Sequence, residues 1–352
     1  MVMNNRTSHL VGSIPLPDAE TVFRKVSRAL GASVKRIPDG ETGDRSRWIW
    51  FQRAMLENHP DMELDTAIEP FRVVQWDGKV IRENPWLKFK DGVDSATTIF
   101  PTGYRDAAVN SYNVYSRLRN EGVIGNNVRF QVSIPTPLAT TFMYISPNSR
   151  AAYLPAYERA LTEAVAGIVS AIPHDQLAIQ WDVCQEVLVF EDYKPFAGRP
   201  VDYKKQIYDG LARVGSLVPD AVELGYHLCY GSPADEHLVM PSDMEILVEI
   251  ANGFIPQLSR QLDFLHLPVP KHRTDAKYFE PLNSLGKPDS TEVMLGLIHF
   301  DDAKGDAARI ATAGRFLNSF GIATECGWGR TDPDRVDSLL ASHARAASIG
   351  SE

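Results

Sequence analysis

The chain has 352 residues, of which 44% are hydrophobic and 23% charged, and its formal net charge is −9. This length suits one large α/β domain or two modest ones, and the negative charge argues against nucleic acid as a partner. Three cysteines are too few for a disulfide scaffold, and no run of about 18 apolar residues predicts a membrane span. Residues 1–6 are polar and lack the apolar region of a signal peptide, so we expect a cytoplasmic protein.

The N-terminal part of the chain predicts two short strands around one helix. Residues 8–13 form the first predicted strand, and residues 33–37 form the second. Between them, a helix is predicted to begin at Asp18 and to end at Gly31. Aspartate caps the first turn of a helix, and glycine readily adopts the left-handed conformation that ends one. The second strand leads into a glycine-rich loop that contains Glu41.

Residues 59–101 interrupt the alternation of strands and helices. Two apolar segments flank Asp77 and Gly78, a pair that is typical of a tight hairpin turn. We therefore predict an inserted hairpin and helical segment near residues 59–101, which lies over one end of the domain. A helix over residues 104–120 leads back to the main pattern.

The rest of the chain predicts six more strands, nearly all separated by helices, so the whole pattern has eight strands. Alternation of this kind implies a parallel sheet, and its length fits a TIM (β/α)8 barrel with one insertion. A doubly wound sheet is the alternative, but no glycine-rich phosphate loop follows the first strand. No change of composition divides the chain, so we predict a single barrel domain over residues 1–352. The six strands are predicted within residues 128–134, 176–182, 222–231, 262–267, 292–298 and 322–326. The helices in this part are predicted at residues 150–171, 203–217, 242–254, 306–320 and 333–347.

His227 and Cys229 lie two residues apart near the end of the fifth predicted strand. Alternate residues of a strand share one face, and imidazole and thiolate are both good zinc ligands. Cys326, at the end of the eighth predicted strand, supplies a third group of this kind. Three ligands leave a fourth position for a substrate, whereas a structural zinc site is normally closed by four protein ligands. Ordinary buried histidine and cysteine side chains are the alternative interpretation.

Further polar or glycine residues gather at or just past the predicted strand ends. The active site of a TIM barrel lies at the carboxyl ends of its strands, so this placement favours a functional site there. Besides the three candidate zinc ligands, these residues are Gly12, Ser13, Glu41, Asp182, His266 and His299.

Five short segments resemble the catalytic barrel of the cobalamin-independent methionine synthase family, and they occur in that family's order. The resemblance implies a (β/α)8 barrel that carries zinc and transfers a methyl group from a methyl-folate to homocysteine. The full enzyme of this family has two barrels, and we expect this chain to match the C-terminal one. The segments are residues 11–15, 39–41, 179–182, 227–231 and 324–327.

The resemblance also assigns roles to individual residues. It makes His227, Cys229 and Cys326 the zinc ligands. It places a second group around the amino-acid end of a thiol substrate, although a loop or helix cap is the alternative role for its two carboxylates. This second group consists of Gly12, Ser13, Glu41 and Asp182.

The chain departs from the family in three places. The family's zinc-binding glutamate after the sixth strand is absent, and His266 either replaces it or lies in the core. The family's aspartate after the seventh strand is displaced, which leaves His299 and Asp301 as candidate catalytic acid and base. The aromatic folate-binding segment after the third strand is replaced by residues 134–140, which contain no tryptophan.

These features predict a zinc-dependent methyltransferase of methionine biosynthesis that acts on a thiol, with a methyl-folate or another compound as alkyl donor. One alternative is a zinc-dependent transferase of another alkyl group, similar to the epoxyalkane:coenzyme M transferases. Another alternative is a non-catalytic zinc-binding relative. A zinc hydrolase is less favoured, because such enzymes usually bind their metal through histidine and carboxylate. We expect no membrane or nucleic-acid partner, and the sequence is compatible with either a monomer or a homo-oligomer.

Overall fold

The computed structural model describes residues 6–349 except residues 197, 198 and 200. Strands and helices alternate along most of this length. In chain order the strands are β1 (Arg36–Pro38), β2 (Met62–Asp65), β3 (Phe71–Val74), β4 (Val80–Asn84), β5 (Trp86–Phe89), β6 (Arg129–Pro135), β7 (Leu177–Val183), β8 (Glu223–Leu228), β9 (Phe264–Pro268), β10 (Glu292–Ile298) and β11 (Gly321–Thr324).

The α-helices follow the strands of the main pattern. None of those in the described part of the chain combines the length and the apolar character that a membrane crossing requires. In chain order they are α1 (Ala19–Leu30), α2 (Trp50–Glu57), α3 (Tyr104–Asn120), α4 (Pro137–Tyr144), α5 (Arg150–Ala171), α6 (Gln185–Phe190), α7 (Tyr203–Gly215), α8 (Glu245–Phe254), α9 (Ala276–Phe279), α10 (Ala303–Ala313) and α11 (Val336–Ala347).

Seven strands form one curled sheet, in the spatial order β1-β6-β7-β8-β9-β10-β11. All pairs of neighbouring strands in this sheet are parallel. Every residue of β7 is buried, as expected for a parallel strand that is covered on both faces. The predicted α/β class and TIM-like barrel are thereby confirmed.

Residues 8–13 lie in the eighth position of the barrel but differ from the regular strand that we predicted. Ser8 makes isolated parallel bridges to Val34 on one side and to Ile322 on the other. The segment therefore closes the ring between β1 and β11 with few backbone pairs.

Side chains inside the barrel explain why this segment is irregular. The Gln180 amide Nε2 donates to the Val11 carbonyl oxygen at 2.7 Å, and Ser133 Oγ donates to the same oxygen at 2.9 Å. Gln131 Nε2 donates to the Leu10 carbonyl oxygen at 3.0 Å. Because side chains already satisfy these buried carbonyls, the segment does not need a regular backbone ladder.

Helix α1 forms where its sequence predicts it. Asp18 Oδ1 accepts a hydrogen bond from the backbone nitrogen of Thr21 at 2.7 Å, which caps the first turn. Gly31 ends the helix with a positive φ of 47°, a conformation that favours glycine. The buried face of α1 consists of the apolar residues Val22, Phe23, Val26 and Leu30.

Three short helices, α4, α6 and α9, were not predicted. All six residues of α6 are buried, and nearly all of α4 is buried as well. A helix that is buried on every side shows no polar face, so its sequence has no helical period. Helix α9 has only four residues, which are too few to display a period.

The predicted insertion forms as two small antiparallel sheets, and its hairpin is confirmed; the described residues 59–101 contain no helix, so the helical part of the prediction is wrong. Strands β3 and β4 form a hairpin, with Gly78 at φ 85° in its turn, and β2 pairs with β5. The hairpin is attached to the barrel through Tyr193, in the loop after α6. The Tyr193 hydroxyl accepts from the backbone nitrogen of Val74 at 2.8 Å and donates to its carbonyl oxygen at 2.7 Å.

Candidate metal centre and its cavity

The three predicted zinc ligands meet at the carboxyl end of the barrel. His227 lies near the end of β8, Cys229 just past it, and Cys326 just past β11. One ring nitrogen of His227 and the two Sγ atoms lie within 4.8 Å of one another, and the sulfurs are 3.7 Å apart. Two thiolates on a tetrahedral zinc ion, each at about 2.3 Å, are separated by about 3.8 Å. The cluster therefore has the dimensions of a zinc site.

Hydrogen bonds behind His227 orient its ring. His266 Nε2 lies 3.0 Å from the carbonyl oxygen of Thr324, which can only accept, so this nitrogen carries a hydrogen. Burial lowers the pKa of His266 to about 3, so the ring is neutral and its Nδ1 is an acceptor. His227 Nδ1, 2.6 Å away, therefore donates to His266 Nδ1. This arrangement leaves His227 Nε2 without a hydrogen.

The bare Nε2 of His227 is buried and has no hydrogen-bond partner among the described residues. A buried acceptor without a partner is costly, and a metal ion beside the two sulfurs would satisfy it. His266 uses both of its nitrogens in the hydrogen bonds just described. The structure therefore places His266 behind a candidate ligand, rather than at the fourth metal position.

Neighbouring sulfurs and burial keep the two thiols of the cluster protonated. Cys184 raises the pKa of Cys229 well above its usual value, and burial adds to this effect. Cys229 and burial do the same to the pKa of Cys326. A metal ion binds thiolate, so its binding would displace these protons. Cys184 itself is buried and lies outside the group of three that can hold an ion.

Arg330 is a cation next to this cluster that sequence reasoning did not single out. Its Nη2 lies 3.2 Å from Cys326 Sγ, and its Nε donates to the Ser232 carbonyl oxygen at 2.8 Å. The available signal in the sequence was that Arg330 follows Cys326 in a short turn with glycines at 327 and 329. Once a metal ion has displaced the thiol protons, this guanidinium would offset part of the negative charge of the two thiolates.

A cavity of about 1010 Å³ opens onto the cluster. The structure brings the predicted substrate-binding residues together with the candidate ligands at its wall, and their roles stay predictions. From the predicted group the lining includes Gly12, Ser13, Glu41 and Asp182.

Two buried carboxyl groups, Glu41 and Asp182, face this cavity. Burial first, and then the nearby Asp182, raise the pKa of Glu41 to about 8. Burial also raises the pKa of Asp182 to about 7, although Gln180 Nε2 and Trp48 Nε1 donate to its oxygens at 2.9 and 3.1 Å. A pair of buried carboxyls with raised pKa values is typical of a site that receives a cation.

The backbone of Glu41 is held in an uncommon conformation. Its φ of 48° lies in the left-handed region, which non-glycine residues rarely adopt. Asp39 Oδ1 accepts from the backbone nitrogen of Glu41 at 2.9 Å and stabilises the turn. A side chain on Gly12 would lie only 3.3 Å from Glu41 Oε1, so glycine leaves room for this carboxyl group. Such backbone strain is often found at functional sites.

Ser13 ties the N-terminal segment to the turn that carries Cys326. Its carbonyl oxygen accepts from the backbone nitrogen of Trp328 at 2.6 Å, and its Oγ accepts from that of Gly329 at 3.2 Å. The cavity wall near Ser13 therefore combines the first and the last unit of the barrel.

The two predicted catalytic residues do not line this cavity. His299 is buried, with Nε2 2.9 Å from the Val269 carbonyl oxygen, and burial lowers its pKa to about 4. Asp301 is exposed in a turn with a φ of 52°. Neither residue belongs to the group of three that can hold an ion, and their catalytic role stays a prediction.

No family model matches the chain, and no curated protein matches it in sequence. Solved structures share its fold. A B12-independent methionine synthase from Shewanella sp. W3-18-1, in complex with selenomethionine, has a TM-score of 0.62 at 15% identity, with 98% of this chain and 97% of that chain covered. A protein named as a vitamin-B12-independent methionine synthase from Listeria monocytogenes has a TM-score of 0.57 at 15% identity, with 98% of both chains covered.

A third structure, a methyltransferase from Methanosarcina mazei, has a TM-score of 0.56 at 13% identity, with 99% of this chain and 94% of that chain covered. At such identities the likeness establishes the fold. The predicted resemblance to cobalamin-independent methionine synthase is thereby confirmed at the level of the barrel.

Proposed function

We propose that this protein is a zinc-dependent methyltransferase that transfers a methyl group to the sulfur of a thiol, with homocysteine or a related amino-acid thiol as acceptor. The observation that carries this proposal is the cluster of His227, Cys229 and Cys326 at the wall of a large cavity. The names of the neighbouring structures, two methionine synthases and a methyltransferase, support it.

In this proposal His227, Cys229 and Cys326 hold the zinc ion and leave one position open to the substrate sulfur. When bound, zinc lowers the pKa of a coordinated thiol and so supplies a nucleophilic sulfur at neutral pH. Two anionic cysteine ligands keep electron density on that sulfur.

The paired carboxyls have a separate role in binding. Glu41 and Asp182 receive the ammonium group of the amino-acid thiol, whose positive charge favours the ionised form of carboxyls with raised pKa values. Holding the amino-acid end positions the sulfur against the methyl carbon, which accelerates transfer by proximity.

Zinc content and methyl transfer of the purified protein test the proposal. We expect about one zinc ion per chain, as a single open site requires, and methylation of homocysteine by one member of a panel of methyl donors. Cys229→Ser and Cys326→Ser should both lose the metal and the transfer. Cys184→Ser is the matched control for zinc content, because this cysteine lies outside the group of three. A protein without zinc, or a Cys229→Ser variant that keeps full transfer, would refute the proposal.

A transferase of another alkyl group is the second candidate. None of residues 134–140, which replace the family's aromatic folate segment, lines the cavity. Assays with 2-mercaptoethanesulfonate in place of homocysteine, and with epoxide donors, separate the two candidates. Tight zinc binding without transfer to either thiol would instead favour a non-catalytic zinc-binding protein.

A further inference from the structure

Two arginines and a tryptophan form another part of the cavity wall. Arg47 and Trp50 lie on either side of Trp48 at the start of α2, and Arg82 belongs to β4 of the inserted hairpin. The Arg82 guanidinium carbon lies 3.9 Å from the centroid of the Trp50 ring, and that of Arg47 lies 5.5 Å from it. Contacts of this kind hold a guanidinium in place without neutralising its charge.

Neither Arg47 nor Arg82 forms an ion pair with a carboxylate in the described part of the chain. Arg72, on the neighbouring strand of the same hairpin, pairs with Glu83 at 2.8 Å. Arg82 Nε is buried and has no hydrogen-bond partner among the described residues. Burial, together with the like charges of Arg47 and Arg53, lowers the pKa of Arg82. Arg47 is exposed, whereas Arg82 is half-buried, and a partly buried cation without an anion is costly unless a ligand supplies one.

The cavity wall therefore carries charges of both signs. Arg330 is the cavity cation that lowers the pKa of both Glu41 and Asp182, whereas Arg47 and Arg82 contact the Trp50 ring. Val73 and Ile81 of the hairpin add apolar surface beside Arg82. One cavity thus offers anions to an ammonium group, and cations with apolar surface to an acidic, partly apolar molecule.

We propose that Arg47 and Arg82, positioned by Trp50, bind an acidic group of the second substrate, the alkyl donor. The donor is then an organic anion, a carboxylate or a sulfonate, with an apolar body that packs against the hairpin. The identity of this ligand as the donor rests on the proposed function. A guanidinium fork matches the planar geometry of a carboxylate, which suits this role.

A pair of fluorescent probes tests for this anion site. The sulfonate 8-anilinonaphthalene-1-sulfonate and its uncharged counterpart N-phenyl-1-naphthylamine differ only in the acidic group. For an Arg47→Gln/Arg82→Gln double variant we expect roughly tenfold or greater loss of affinity for the sulfonate and little change for the neutral probe. Arg72→Gln, an exposed and ion-paired arginine of the same hairpin, is the matched control and should bind both probes like the parent.

Arg82→Lys keeps the charge and removes the planar fork, so its affinity for the sulfonate should lie between those of the parent and of the double variant. This single variant also tests the site if the double variant does not fold. Unchanged affinity of the double variant for the sulfonate would overturn the inference, and so would unchanged affinity of Arg82→Lys if the double variant does not fold. Equal losses of affinity for the two probes would also overturn it, because the arginines would then affect the shape of the cavity and would not bind the acidic group.

The probes carry no transferable alkyl group, so their binding is independent of the proposed reaction. The same titration in the Cys229→Ser background should give the same dependence on Arg47 and Arg82. If the parent protein transfers no methyl group but binds the sulfonate through Arg47 and Arg82, the proposed function is refuted and the anion site stands. Full methyl transfer without arginine-dependent probe binding would refute the anion site alone.

Discussion

The hydrogen bonds behind His227 determine which of its nitrogens carries a free lone pair. His266 accepts from His227 Nδ1 because its own Nε2 is committed to the Thr324 carbonyl oxygen. The free lone pair of the His227 ring is thereby on Nε2, which has no hydrogen-bond partner among the described residues before any ion binds. Supporting residues of this kind tune metal affinity although they do not touch the metal.

His266→Phe should therefore weaken zinc binding by about tenfold to a hundredfold, because the His227 ring loses its acceptor and its fixed tautomer. Competition with a chromophoric chelator measures this affinity. His343→Phe is the matched control, since His343 is also fully buried but packs against Trp328, with ring centroids 5.8 Å apart. Equal zinc affinity of the parent and His266→Phe would contradict the role of His266.

Glu41 connects the cavity to the pH dependence of stability. Its pKa is raised from 4.5 to about 8, so the folded protein holds a proton that the unfolded chain releases in this range. The unfolded state then binds fewer protons, and stability falls as pH rises from about 4.5 to about 8. The carboxyl group therefore costs stability at neutral pH in the absence of a bound cation.

Glu41→Gln should remove this cost. We expect the variant to be more stable than the parent by about 1 kcal/mol or more at pH 8, with the difference shrinking toward pH 5. Urea unfolding at both pH values measures the free energies. Glu69→Gln, at an exposed position, serves as control and should show no such change. A Glu41→Gln variant that is no more stable at pH 8 than at pH 5, relative to the parent, would contradict the assignment.

At the scale of elements, the irregular segment over residues 8–13 depends on the strands beside it. Gln180 on β7 donates through Nε2 to the Val11 carbonyl oxygen at 2.7 Å, and its Oε1 lies 2.9 Å from His9 Nε2. It also donates to Asp182 at 2.9 Å, so one buried side chain joins the closing segment of the barrel to the cavity.

Gln180→Leu should destabilise the protein by roughly 2–4 kcal/mol, because it leaves several buried polar groups without partners. Chemical denaturation measures this loss. Gln176→Leu is the matched control: Gln176 lies just before the same strand, is half-buried and accepts a single hydrogen bond from Tyr112. We expect a cost below about 1.5 kcal/mol there. Similar costs at the two positions would indicate that the closing segment does not depend on Gln180.

At the scale of the whole molecule, the two ends of the barrel have different chemistry. The carboxyl end carries the thiols and the cavity. The amino end is closed by Arg36, whose side chain is 4% exposed and pairs with Glu223 and with Glu292, the latter at 2.9 Å. Its guanidinium also lies 4.2 Å from the Phe264 ring centroid. Residues at this end of a TIM barrel typically serve stability.

Arg36→Ala should therefore lower stability by about 2–4 kcal/mol, since it removes a buried guanidinium that contacts two carboxylates and the Phe264 ring, although Arg129 and Lys35 still pair with those carboxylates. Zinc content should be unchanged, because the cluster lies at the opposite end of the strands. Lys35→Ala is the matched control: Lys35 also pairs with Glu292, but its side chain is 51% exposed, so its loss should cost less than about 1 kcal/mol. Loss of zinc from a folded Arg36→Ala protein would contradict this separation of the two ends.

The sequence by itself determined the features that depend on neighbouring residues. The bounds of α3 and α5 agree with their predictions, and Asp77 and Gly78 marked the hairpin. The two-residue spacing of His227 and Cys229, read with eight strand-and-helix units, was enough to expect convergence with Cys326. Periodicity, capping and turn residues are local signals, so a short stretch of sequence contains them.

Only the tertiary structure decided which side chains support the site. His266 meets the Thr324 carbonyl across 58 residues, and Trp48 meets Asp182 across 134 residues. Arg47 and Arg82 share one tryptophan although they belong to a helix start and to the inserted hairpin. These contacts exist because the closed barrel and its insertion bring distant segments to one cavity, and no local pattern in the chain encodes that proximity.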